Sequence, residues 1–426
     1  MEKTDIEAVK RGSVHGVVAL TSRTFFLQSI SLFGTFVLTV ILSPAAYGIF
    51  AIVSSAINFL NYFSDIGLAA ALVQKKEEPT RDDLVTTFTL QQILVGVAVC
   101  FTLFFSRKLA AFYGFDQDGL FLLRALAISF LLSSFKTIPS VLLERALTFH
   151  KLVVPQIAET FSFYLVAIVL AVKGFGVASY AWAALVRGFL GVILLYIIAP
   201  WKPGLRLEIK SVKKLLSYGI PYQANSFIAL IKDDLLIVFL GKSLSFEAVG
   251  YIVWAKKWAE VPLRLIMDSI VRVTFPAYAR LQGHKEVLGR AIEKSFFFLA
   301  LFVFPILVGM ILVIKPIIFL IPRYAKWEPA LFSFYLLTFS SILAALSSPL
   351  VNALNAIGKI FWTLRLMLMW TILTWVLVPF LTMAFGYNGY SIAAVIIATT
   401  SFIPIFVVRR FVSFTFLFPY LQTLFI

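Results

Sequence analysis

The sequence predicts an all-α integral membrane protein of about twelve transmembrane helices in two six-helix lobes. Three observations predict it. Hydrophobic residues make up 61% of the 426 and charged residues only 14%, whereas soluble domains run nearer half apolar and a quarter charged. Apolar stretches of about 20 residues, each long enough to cross the hydrocarbon layer, recur from Gly16 almost to the end. The two halves also repeat short strings in the same order: Leu42-Ser43-x-x-Ala46-x-Gly48 returns as Leu244-Ser245-x-x-Ala248-x-Gly250. Pro139-x-Val141 with Ala146 returns as Pro349-x-Val351 with Ala356, and Gly176, Tyr180, Ala183 and Ala184 return as Gly386, Tyr390, Ala393 and Ala394. An even number of spans per repeat makes the lobes parallel, with a site expected where they meet.

Taken in order, the spans are expected near 16–42, 47–72, 84–105, 119–143, 152–172 and 177–199 in an N-terminal lobe, 1–200. The hydrophilic stretch 201–214 is the expected interlobe linker. Spans near 215–240, 248–273, 294–314, 330–352, 362–385 and 389–408 follow in a C-terminal lobe, 215–408. The first segment follows a charged start, is longer than a signal-peptide core and shows no small-residue cleavage site, so it reads as a retained span. The apolar tail 409–426 reads as a partial thirteenth span, an interfacial helix or a truncated end.

Cys100 is the only cysteine, so no intramolecular disulfide forms. His15, His150 and His284 lie far apart with no ligand spacing, which argues against a metal site; no cofactor is expected. The net charge of +16 would suit nucleic acid in a soluble protein, but in a membrane protein its placement decides, and no nucleic-acid partner is expected. With the N-terminus in the cytoplasm, twenty Lys and Arg residues fall in cytoplasmic segments and seven in the opposite loops. That asymmetry orients the chain by the positive-inside rule.

Ten further cations lie within the spans: Arg23, Arg124, Lys136, Arg187, Lys232, Lys256, Lys257, Arg264, Arg272 and Arg365. Six acids share that zone: Asp65, Glu159, Asp233, Asp234, Glu260 and Asp268. A charge at the bilayer centre costs about 2.5–3.5 kcal/mol, so these side chains must pair, snorkel or face a wet cavity. Arg124, Lys136 and Arg365 sit near span ends, where snorkelling serves. In the eighth span Lys256, Lys257, Glu260, Arg264, Asp268 and Arg272 fall within an arc of about 160°. The stripe is either self-neutralised between helices or the wall of a cavity with surplus cations; Arg23 and Lys232 add further cations and favour the wall. Such a wall suits an anionic group, and arginine holds phosphate in a fork. Arg23, Lys232, Lys256, Arg264 and Arg272 are therefore the candidate anion-binding residues. Asp65 is a candidate cap of a helix break, and Asp233 and Asp234 would lock Lys232 or carry a coupling ion. Glu159, Glu260 and Asp268 are candidates for ion coupling or salt bridges.

Catalytic signatures are missing. Gly241-Lys242-Ser243 has the end of a phosphate loop, but Leu236 stands where that motif needs glycine. Asp82-Asp83 in a mixed-charge loop reads as a solvated face. No hydrophilic segment is long enough for a catalytic domain, so transport rather than an enzyme is the reading left.

Several strings resemble the polysaccharide-exporter (Wzx-like oligosaccharide flippase) branch of the multidrug/oligosaccharidyl-lipid/polysaccharide superfamily. They are Leu42-Ser43-Pro44-x-x-Tyr47-Gly48, Phe63-Ser64-Asp65-Ile66-Gly67-Leu68, Phe112-Tyr113-Gly114, Trp201-Lys202-Pro203, Phe275-Pro276-Ala277-x-x-Arg280-Leu281-Gln282 and Lys326-Trp327-x-Pro329-Ala330. Ala45-Ala46 departs from the family, which often carries an acid there. The resemblance implies two lobes rocking around a central V-shaped cavity in the inner membrane. It implies an undecaprenyl-pyrophosphate-linked oligosaccharide as substrate, membrane lipids around it, and a polysaccharide polymerase with other export machinery as partners. It also implies pyrophosphate contacts at Arg23 and Arg264. An ion-coupled multidrug exporter of the same superfamily and a membrane glycan polymerase or ligase stay open at this point.

Overall fold

A computed structural model describes residues 24–65, 67–75, 77–208, 212 and 227–415, without the side chains of 63–65, 268, 269 and 272. The described residues are helical, with no strand among them. The chain divides into two compact units, Met1–Leu230 with Ile237–Lys242, and Ile231–Leu236 with Ser243–Ile426.

In the first unit the helices are α1 (Thr24–Ile41), α2 (Pro44–Asp65), α3 (Leu68–Gln74), α4 (Arg81–Tyr113), α5 (Gln117–Phe135), α6 (Thr137–Arg145), α7 (Phe149–Val172) and α8 (Ala178–Ile198). Local chemistry sets their ends. Thr80 and Asp83 close a capping box at the start of α4, and Gly114, at φ 78°, ends it. Asp116 accepts from the Gly119 amide at 2.8 Å to start α5. The expected second span breaks after Asp65, with Gly67 left-handed at φ 73°, where Asp65-Ile66-Gly67 suggests a helix break. The loop that follows is held by Arg145, whose guanidinium donates to the carbonyls of Leu72, Val73, Lys75 and Glu77 at 2.7–3.1 Å. Asp83 is buried, and its carboxylate accepts from Lys75 at 2.5 Å and from Thr80. The expectation of a solvated acidic face fails there, because the cap needs that carboxylate. After α8 the stretch 201–208 runs along α4: the Trp201 ring meets Phe88 at 5.0 Å, and the Arg206 amide donates to Thr89.

Beyond residue 226 come a π-helical turn (Ile231–Leu235), α9 (Leu236–Ser243), α10 (Phe246–Leu281), α11 (Lys285–Leu320), α12 (Leu331–Ala356), α13 (Ile360–Phe385), α14 (Asn388–Thr399) and α15 (Ile403–Arg409). Lys242 of α9 donates to the Phe112 carbonyl at 2.6 Å and lies over that ring. In the second unit Trp254 stacks on Trp327 at 5.2 Å and donates to the Tyr324 hydroxyl at 2.9 Å. That fully buried cluster fixes α10 to the turn before α12. Asn352 donates to Thr274 at 2.7 Å and ties α10 to α12 again.

Among the described residues ten helical segments are long and apolar enough to cross a membrane, from Thr24–Ile41 to Asn388–Arg409. Each falls on an expected span. The first part of the expected seventh span, 215–226, lies outside the described residues, and the remainder is the π-helical turn with its flanking helix and most of α9. The eighth is α10, a continuous helix of 36 residues whose ionised side chains keep it out of the apolar class.

The repeats seen in the sequence carry matching structure. Ser43 accepts from the Ala46 amide and Ser245 from the Ala248 amide, both at 3.2 Å, each starting a helix. Ser129 donates to the Ala184 carbonyl and Ser340 to the Ala394 carbonyl, both at 3.0 Å. Gly176 and Gly386 both take positive φ. These three local features thus recur in both units.

Candidate functional site

The second unit holds a cavity of about 300 Å³. One wall is ionic and the other hydroxylic. The ionic wall begins at the π-helical turn, whose wider winding disturbs the usual backbone ladder; such turns concentrate at functional positions. Trp375 of α13 donates to the Ile231 carbonyl at 3.0 Å and anchors the turn. Lys232 and Asp233 project from it. From α10, residues 256, 260 and 264 are spaced by four and share a face. The Lys256 ammonium lies 3.1 Å from Asp233 and 4.0 Å from Glu260. Glu260 meets the Arg264 guanidinium at 3.0 Å, and Lys232 lies 3.7 Å from Asp233. The facing wall is Ser340, Ser341, Ser347 and Ser348 of α12, Trp370 and Thr374 of α13, and Tyr390 of α14.

These five charges do different jobs. The Lys256 side chain is 18% exposed and sits between two carboxylates, so its charge is spent inside the protein. The Arg264 side chain is 71% exposed, so its guanidinium can meet a second anion. The stripe is neutralised at Lys256, whereas Arg264 is exposed and does not line the cavity. Asp233 is shared by Lys232 and Lys256. Asp234 lies in the same turn. Arg272 and Asp268 belong to α10, but their side chains lie outside the described part, as does that of Asp65 at the end of α2. Arg23 also lies outside the described residues.

Glu159 belongs to a separate cluster in the first unit. It is only 7% exposed and lies 2.7 Å from Lys136 and 3.8 Å from Arg187. Lys136 therefore turns inward instead of snorkelling, because a buried carboxylate is the stronger partner. Gly191 of α8 makes the room, since a Cβ there would overlap the Glu159 carboxylate. Arg124 donates to Ser106 and Arg365 lies over Trp362. The hydroxylic wall and Tyr390 escaped the sequence reading. Their one signal was the repeat, which pairs Tyr390 with Tyr180.

The sequence matches the family described as "Polysaccharide biosynthesis protein" over residues 37–331. This chain belongs to the polysaccharide biosynthesis protein family, in its Wzx-like flippase/exporter branch. This family member is 25% identical over 303 residues to the teichuronic acid biosynthesis protein TuaB of Bacillus subtilis (strain 168). It is 23% identical over 365 residues to the lipopolysaccharide biosynthesis protein WzxC of Escherichia coli (strain K12). The matches cover 71% and 83% of this chain. They span 62% of TuaB and 72% of WzxC. The fold is that of the lipid II flippase MurJ in an inward closed conformation, at TM-score 0.75 and 15% identity over 95% of this chain and 91% of that one. It is also that of an inward-facing multidrug resistance MATE transporter, at TM-score 0.67 and 15% identity, covering 92% and 98%. The polysaccharide biosynthesis protein is thus a multi-pass membrane protein of the two-lobed transporter fold.

Proposed function

We propose that this protein flips undecaprenyl-pyrophosphate-linked oligosaccharide repeat units across the cytoplasmic membrane by alternating access, for O-antigen, capsule or exopolysaccharide synthesis. The observation that carries the proposal is the charge cluster on the π-helical turn and α10. Ionised side chains at membrane depth are costly and mark substrate paths. Here three cations meet two acids, and the most exposed member is an arginine. In this reading Arg264 and Lys232, with Arg23 and Arg272, hold the pyrophosphate, while Lys256 keeps Asp233 and Glu260 in place. The protein is oriented with its N-terminus in the cytoplasm and passes its cargo to a polymerase and other export machinery. The names of its relatives support the cargo class: one is a lipopolysaccharide biosynthesis protein and another a succinoglycan biosynthesis transport protein.

The test is complementation of a deletion strain. The intact gene restores surface polysaccharide, and Arg264→Ala with Lys232→Ala inserts normally but leaves lipid-linked oligosaccharide on the cytoplasmic leaflet. Normal surface polysaccharide in the double variant overturns the site assignment, and normal polysaccharide in the deletion strain overturns the function.

A further inference from the structure

Four basic residues outside the charge cluster gather at one end of the second unit. There α12 ends at Ala356, α13 begins at Ile360 and α15 ends at Arg409. These are ends of membrane-crossing segments, which puts them at the level of lipid head groups. Beneath lies one apolar cluster that includes Leu288, Ile292, Leu354, Leu366, Val408 and Phe414, and it holds these ends together. The chain after α15 is seated firmly: a Cβ on Gly289 would strike the Ser413 carbonyl, and Glu293 accepts from the Thr415 amide and hydroxyl at 2.6 Å.

On that base stand four exposed cations, Lys359, Arg365, Arg409 and Arg410. Among the described residues none makes an ion pair with a carboxylate. Each rests on an aromatic ring instead. Arg365 and Arg410 both lie over Trp362, at 4.9 and 5.4 Å; Lys359 lies over Phe411 at 5.0 Å and Arg409 over Phe414 at 5.7 Å. A ring face orients a cation but cancels none of its charge. Two guanidiniums over one indole concentrate positive charge at that ring. Beside them Ile360 and Phe361 are 52% and 78% exposed, an apolar surface for acyl chains next to the charges.

We infer that this rim is a binding site for an anionic glycerophospholipid, its phosphate bridged by Arg365 and Arg410 across Trp362 and flanked by Lys359 and Arg409. The guanidinium fork suits phosphate, and each cation near an anionic membrane surface adds to the attraction. Four cations match a head group with two phosphates better than one with a single phosphate. The site is separate from Lys232 and Arg264 and does not rest on the flippase reading.

Native mass spectrometry of the full-length protein in detergent tests it. The titrants are cardiolipin, phosphatidylglycerol, phosphatidylcholine and undecaprenyl phosphate. Cardiolipin is expected to bind tightest and phosphatidylcholine weakest. Arg365→Gln with Arg410→Gln should weaken cardiolipin about thirtyfold and leave phosphatidylcholine unchanged, while Lys173→Gln, in the other unit, changes neither. Arg365→Lys with Arg410→Lys keeps the charge but loses the planar fork, and should bind cardiolipin more weakly than the wild type and more tightly than the glutamine variant. Equal affinity for cardiolipin and phosphatidylcholine, or an unchanged affinity in the glutamine variant, overturns the proposal. So does undecaprenyl phosphate binding tighter than cardiolipin in a way the glutamine variant abolishes, because the rim would then belong to the carried lipid.

Discussion

Lys256 and Asp233 lie 3.1 Å apart, and their contact joins the π-helical turn to the 36-residue helix α10. The turn departs from regular helix, and Trp375 and this ion pair hold it in register. Lys256→Met should therefore cost about 1–3 kcal/mol by removing the closer of the two cations beside Asp233 and leaving only Lys232, at 3.7 Å. Lys256→Met with Asp233→Asn should recover most of it. Thermal unfolding of the purified variants measures both, and a double variant no more stable than the single shows that the pair does not hold the turn.

Glu159 and Lys136 are the more deeply buried pair, with side chains 9% and 16% exposed. Removing one partner of a buried pair costs about 3–5 kcal/mol. Glu159→Gln should lose that much, and Lys136→Met with Glu159→Gln should lose clearly less. Gly191→Ala should resemble Glu159→Gln, since the added methyl group occupies the carboxylate's place. Thermal unfolding across these variants checks the ordering.

Arg264 should separate stability from function. Its side chain is mostly exposed, and its ion pair among the described residues is a helical i, i+4 pair, worth about 0.3–0.5 kcal/mol. Arg264→Ala should unfold near the wild-type temperature while surface polysaccharide is lost. An unfolding temperature several degrees lower would recast Arg264 as a structural residue.

Trp254 and Trp327 are fully buried and stacked in the second unit. Trp254→Ala should cost about 3–5 kcal/mol by opening a cavity. Trp254→Phe keeps an aromatic ring but loses the donor to Tyr324, a loss of about 1 kcal/mol. Expression level and unfolding temperature should follow that order.

Arg145 holds the last turn of α3 and the loop after it by four backbone carbonyls. Lysine has no planar fork to span them, so both Arg145→Lys and Arg145→Ala should expose residues 75–80 to protease. Mapping of cleavage sites in membrane vesicles reads this directly.

The spans were legible because lipid imposes a requirement that each stretch must meet on its own: about 20 apolar residues and a fully bonded backbone. The helix break at Asp65-Ile66-Gly67 was legible for the same reason: Gly67 acts within a turn of its own position, so residue type suffices. The six-by-six repeat was visible too, and the paired hydrogen bonds of Ser129 and Ser340 are its physical content.

The sequence by itself determined that this is a polytopic membrane protein with charges inside its helices, since apolar length and ionised residues need no partner to be counted. The tertiary structure alone decided which charges cancel. Glu159 had no partner assigned from sequence until folding brought it Lys136, at the junction of α5 and α6, and Arg187 of α8, and Asp233 gained Lys256 only when α10 packed beside the turn. Electrostatic energy falls with distance in space, and partners 23 residues apart along the chain become neighbours only through packing.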